Sequence, residues 1–171
     1  MSNKVQRARI TSAQALSGEL RSPLAGVTNA AWNRLVNALM IDDDRGPLKG
    51  KPRAFNARTH AGGLGCFGTL PRRLVEIGVL RSVVLKDGKA IAAGSDKRLI
   101  SFLANPILQY KAVVVSLKKY DSTLASPLPA GMSRSGVLAL HHRLGPKALL
   151  KWQGHQEPST VALFRRANGI F

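Results

Sequence analysis

Apolar residues recur at helical spacing along most of the chain, and Gly or Pro cuts that pattern into short lengths. Trp32, Leu35, Val36, Leu39 and Met40 share one face of a helix that Thr28 or Asn29 can cap and that ends near Ile41. Thr69 can cap a second helix, with Pro71 in its first turn, a stripe of Leu70, Leu74, Val75 and Ile77, and Gly78 as its stop. Ser95 can cap a third, carrying Leu99, Ile100, Phe102 and Leu103 to the break at Asn105-Pro106. Pro106 opens the longest helix, to about Leu124, with Ile107, Tyr110, Val113, Val114, Leu117, Tyr120 and Leu124 inward. Ser133 caps a helix through Leu144, with Val137, Leu140, His141 and Leu144 on one side. Gly145-Pro146 stops it and starts a short helix to Trp152, and Pro158 opens the last, closed by Asn168-Gly169. Strand signals are confined to one place, where Asp87-Gly88 stands between Val83-Val84-Leu85 and Ala90-Ile91-Ala92 and predicts a hairpin. The pattern predicts a mainly α domain (α+β), about six helices with one small β-hairpin, over 23–171 behind an N-terminal extension over 1–22.

A chain of 171 residues with 44% hydrophobic residues can bury one continuous core, which argues against wholesale disorder. No apolar stretch approaches the roughly 20 residues of a membrane helix, so membrane insertion is not expected. The basic start, Lys4 to Arg9, has no apolar signal-peptide core after it. Cys66 is the only cysteine, so no internal disulfide can form.

Charge points to the class of partner. The chain has 26 Lys and Arg against 9 Asp and Glu, a formal charge of +17. Such a surface favours polyanions, and both nucleic acid and the anionic bacterial envelope qualify. The densest cations are Lys49, Lys51, Arg53 and Arg58, in a long irregular stretch from Asp42 to Ala61.

Any acid–base mechanism must draw on the nine carboxylates, and three of them are consecutive: Asp42, Asp43 and Asp44. Packed like charges raise at least one pKa, as a general acid requires. The plainer reading is an acidic turn paired with Arg45 or neighbouring cations. Acidic groups at a helix C-terminus oppose the helix dipole, so something must offset them.

Gly63-Leu64-Gly65-Cys66-Phe67-Gly68 fits G-x-G-x-x-G, but no strand precedes it. It reads instead as a turn where the backbone passes close to another element or a ligand. Cys66, near a helix start, could act as a nucleophile with His60, His141, His142 or His155, yet Leu64 and Phe67 beside it point to burial. His141-His142 has no third ligand at suitable spacing, so neither metal nor cofactor is expected.

The order of elements resembles the lysozyme-like fold of lytic transglycosylases and phage muramidases. The resemblance covers roughly 24–171. It rests on Gly63-Leu64-Gly65-Cys66-Phe67 with Thr69-Leu70-Pro71, on Asn105-Pro106-Ile107-Leu108-Gln109, and on Ser135 to Pro146. The closing helix, Ala162 to Phe171, is similar to the ends of virion-associated members. The family places a catalytic glutamate at the end of the first core helix, where this chain has Asp42, Asp43 and Asp44. It also usually has a glutamine just after Gly-Leu, a position that falls here on Cys66 or Phe67.

The resemblance implies a virion protein of a bacteriophage, made in the host cytoplasm, that binds peptidoglycan and cleaves its glycan strands as the particle enters a cell. Asp42, Asp43 or Asp44 would be the acid, and Gly63, Leu64, Gly65, Phe67 and His141 would line the substrate groove. The implied partners are peptidoglycan or another anionic envelope polymer and other virion proteins. The alternatives are an inactive structural component of a tail or head and a basic nucleic-acid-binding protein.

Overall fold

A computed structural model of the chain describes residues 20–43, 49–59, 62–86, 89–92, 97–154 and 156–171. These residues form seven helices and one antiparallel strand pair, so the fold is mainly α, and each helix lies where the pattern located one. The helices are α1 (Asn29–Met40), α2 (Pro71–Glu76), α3 (Lys97–Ala104), α4 (Pro106–Asp121), α5 (Arg134–Leu144), α6 (Ala148–Gly154) and α7 (Pro158–Ala167). Strands β1 (Val83–Lys86) and β2 (Lys89–Ala92) pair from Val83 with Ala92 to Lys86 with Lys89. The expected turn residues Asp87 and Gly88, and the expected cap Ser95, lie outside the described residues.

Three helix starts follow local chemistry. The side chains of Thr28, Asn105 and Ser133 accept the N–H groups of Ala31, Leu108 and Gly136 at 3.2, 3.0 and 3.2 Å. The α2 start differs from expectation, because its N-cap is Leu70 and no side chain caps it. Thr69 instead exchanges both backbone hydrogen bonds with Leu64, at 2.9 and 3.0 Å, and so closes the glycine turn. Gly78 stops α2 in the left-handed region, at φ 75°.

The interior face of α4 also departs from the apolar pattern. Ile107, expected inward, is 59% exposed, whereas Gln109 is 1% exposed. The helix ends at Asp121 rather than near Leu124.

The main core gathers Trp32, Leu35 and Leu39 of α1, Val113 and Leu117 of α4, and Leu138 of α5, with Cys66 and Phe67 from the turn. A second cluster joins α2, α3 and α4 through Leu74, Leu99, Phe102 and Ala112. A third seats α6 through Leu140, Ala148 and Trp152. At the centre lies α5, whose residues from Ser135 to His141 are all buried, packed against α1, α4, α6 and α7. Gly136 lets the end of α7 pack close against α5, since a Cβ there would stand 2.4 Å from the Asn168 side-chain oxygen. The chain is already seated on this body at Leu20, which packs on the main core and whose carbonyl accepts from Asn33 at 2.9 Å.

Candidate functional site

The glycine turn is built around a buried amide. Gln109 reaches from α4 with its oxygen 2.9 Å from the Cys66 N–H. Its NH2 group donates to the carbonyls of Phe55 and Phe102, at 2.9 and 2.8 Å. One side chain thus ties the turn, the preceding loop and the end of α3. Gly65 sits at φ +74°, and a Cβ there would stand 2.3 Å from the Gln109 oxygen. Gly63 is tighter still, its added Cβ falling 2.2 Å from the Gly68 carbonyl oxygen. The expected groove residues Gly63, Leu64, Gly65 and Phe67 are therefore buried by this packing. Cys66 is fully buried, and burial pushes its thiol up to about 12, which leaves no thiolate for nucleophilic chemistry.

The acidic triplet resolves differently. Asp43 is buried, and both its oxygens accept from the Arg166 guanidinium of α7. Asp42 is half-buried, its backbone N–H donating to Lys51 O at 2.9 Å, and Asp44 lies outside the described residues. The dipole conflict at the end of α1 is offset by two arginines. Arg53 of the basic loop donates to Leu39 O at 3.0 Å, and Arg166 donates to Ala38 O at 3.2 Å. The acidic turn is thus paired, but its partner Arg166 lies 123 positions along the chain rather than beside it.

The histidines of α5 take opposite directions. The Nε2 of His142 lies 2.8 Å from Phe67 O, and a carbonyl only accepts, so that nitrogen carries the proton. Burial drives the His142 pKa down to about 4; the Phe67 bond opposes this, and Arg53, Arg143 and Arg73 add to it. His141, an expected substrate residue, is 9% exposed. Its Nδ1–H donates to Gly145 O at 3.1 Å and its ring stacks on Tyr120 with centroids 4.7 Å apart. Burial lowers its pKa, the Gly145 bond opposes that, and Arg73 adds to the lowering. The Arg73 guanidinium in turn lies 4.6 Å from the centroid of the Tyr120 ring and pairs with Glu76.

The end of α1, the glycine turn and α5 meet at a cavity of about 10 Å³ bordered by Asp43, Arg53, Phe67, His142, Arg143 and Ser159. That is room for about one water molecule. The structure thus brings Asp43 and Phe67 together, while His141 faces Tyr120. Sequence reasoning missed Arg166, Gln109 and Ser159 as members of this region. Gln109 alone left a signal, as a polar residue at buried spacing inside an apolar helix. Among the described residues no group of three His, Cys, Asp or Glu could hold a metal ion. No protein-family model, curated protein or solved structure matches this chain.

Proposed function

We propose that this chain is a lysozyme-like protein of a bacteriophage particle that binds the peptidoglycan of the bacterial envelope without cutting it. One observation carries the non-hydrolytic part: Asp43, at the end of the first core helix, gives both its oxygens to Arg166. A general acid must come within about 3 Å of the oxygen it protonates. The Asp43 side chain is 6% exposed and turned to α7, so it offers no such approach.

Binding is supported by the net charge of +17, which attracts the carboxylates of envelope polymers. It is supported also by the meeting of the end of α1, the glycine turn and α5, the three segments the resemblance assigns to the substrate side. Attraction of this kind is screened by salt.

The test is a pelleting assay with purified peptidoglycan sacculi, followed by mass spectrometry of the supernatant. The protein should pellet with sacculi at low salt, leave at high salt, and release no soluble muropeptides. Muropeptides that vanish in an Asp42→Asn/Asp43→Asn/Asp44→Asn variant would overturn the non-cutting part. Failure to pellet, with steeply salt-dependent binding to duplex DNA, would instead assign the charge to nucleic acid.

A further inference from the structure

The solvent side of α3 and α4 combines positive charge with branched aliphatic side chains. Of five large apolar side chains exposed among the described residues, three lie here: Ile100 at 64%, Ile107 at 59% and Val115 at 52%. Single exposed aliphatics are ordinary; a patterned group on one face asks for a partner. Ile107, Lys111, Val115 and Lys118 with Lys119 follow at helical steps, so they form one stripe along α4. The stripe runs about 18 Å at the usual helical rise.

At its near end, exposed Lys97 and Arg98 of α3 border a hollow of about 400 Å³ that Ser101, Leu108 and the Gly78-Val79 turn also line. Lys97 therefore adds to the three lysines of the stripe at this elbow. The only carboxylate in either helix is Asp121, which Arg134 holds through two hydrogen bonds at 2.6 and 2.7 Å.

We propose that the α3–α4 elbow is a peripheral docking face for an anionic lipid bilayer. Its cations would lie at the level of the lipid phosphates, and Ile107 and Val115 would enter the top of the acyl layer. Among the described residues no helix is long and apolar enough to cross a membrane, and α3 and α4 bend by 98° at their break. Val113 and Leu117 on the other side of α4 are buried in the main core, so the elbow offers a surface one side only.

A nucleic-acid strand would satisfy the cations equally but would leave the aliphatics in water. The face also lacks an aromatic for base stacking. Phe102 and Tyr120 are buried, and half-buried Tyr110 accepts a hydrogen bond from the Trp32 ring at 2.7 Å. Lipid is the partner that uses both halves of the pattern. This inference is independent of the peptidoglycan reading.

Cosedimentation with vesicles tests it. The protein should pellet with vesicles of phosphatidylglycerol and phosphatidylethanolamine and stay in solution with phosphatidylcholine vesicles. Lys111→Gln/Lys118→Gln should weaken binding, and so should Ile107→Ser/Val115→Ser, the latter about tenfold from lost apolar burial. These positions are exposed, so the melting temperature should be unchanged, and retention on sacculi by the Ile107→Ser/Val115→Ser variant should match the parent. Undiminished vesicle binding by that variant would overturn the proposal. So would duplex DNA binding that depends on Lys111 and Lys118 without any binding to anionic vesicles.

Discussion

Ile107 and Gln109 sit two positions apart on α4 and point to opposite sides of it. On the Gln109 side the glycine turn is closed around an amide that satisfies three backbone groups. On the Ile107 side the helix meets water with aliphatics and lysines alternating. A polar group went inward because partners were waiting for it, and an apolar one stayed outward with none. The difference separates two kinds of glycine-rich or charge-rich signal. The turn marks close packing, whereas the elbow marks an open surface. Each side responds differently to substitution.

The largest effect should come from Gln109→Leu, which removes the amide and leaves the Cys66 N–H and two carbonyls without it. A loss of about 4 kcal/mol is expected in urea unfolding. A loss below about 1 kcal/mol would mean that the turn closes without Gln109. Gly63→Ala should cost about 3 kcal/mol, because the added methyl meets backbone that cannot move aside as a side chain can. Both substitutions should leave the vesicle binding of the still-folded fraction intact.

Acid should open the closed side next. The His142 pKa is about 4 in the fold against 6.5 in its ordinary state. Between those values the unfolded chain takes up a proton that the folded chain refuses. Stability is therefore fully present above pH 6.5 and falls as pH drops toward 4, by about 2 kcal/mol for this half-buried residue. His142→Gln keeps a donor for Phe67 O, so melting curves of that variant should lose this part of the pH dependence.

Removing the clamp on Asp43 should have a smaller effect, since Arg166 is about one-third exposed. Arg166→Lys, which keeps a charge beside the buried Asp43 carboxylate but loses the two-pronged contact, should cost about 1 kcal/mol. Combining it with Asp43→Asn in a double-mutant cycle would show how much of that belongs to the pair. The elbow should be the least sensitive region. Lys111→Gln and Ile107→Ser should each change stability by less than about 0.5 kcal/mol. A large loss at either would show that the stripe is part of the core after all, and would remove the contrast with Gln109.

How much was legible follows from the reach of each interaction. The caps at Thr28 and Ser133 and the stop at Gly78 were readable, because each depends on groups a few residues away. Burial of Cys66 was readable from Leu64 and Phe67 beside it. The expected cap at Thr69 failed because its backbone pairing with Leu64 holds it one residue before the cap position, which Leu70 takes. The inward placement of Ile107 failed because periodicity counts apolar residues and cannot see the carbonyls that draw Gln109 in.

The sequence by itself determined a mainly α chain of short, punctuated helices with a strong excess of cations, since propensity, capping and net charge are local or additive properties. Only the tertiary structure decided which carboxylate met which arginine. Asp43 and Arg166 lie 123 positions apart, and no local rule pairs them. Their meeting depends on how α1 and α7 pack around α5, and so on the whole core at once.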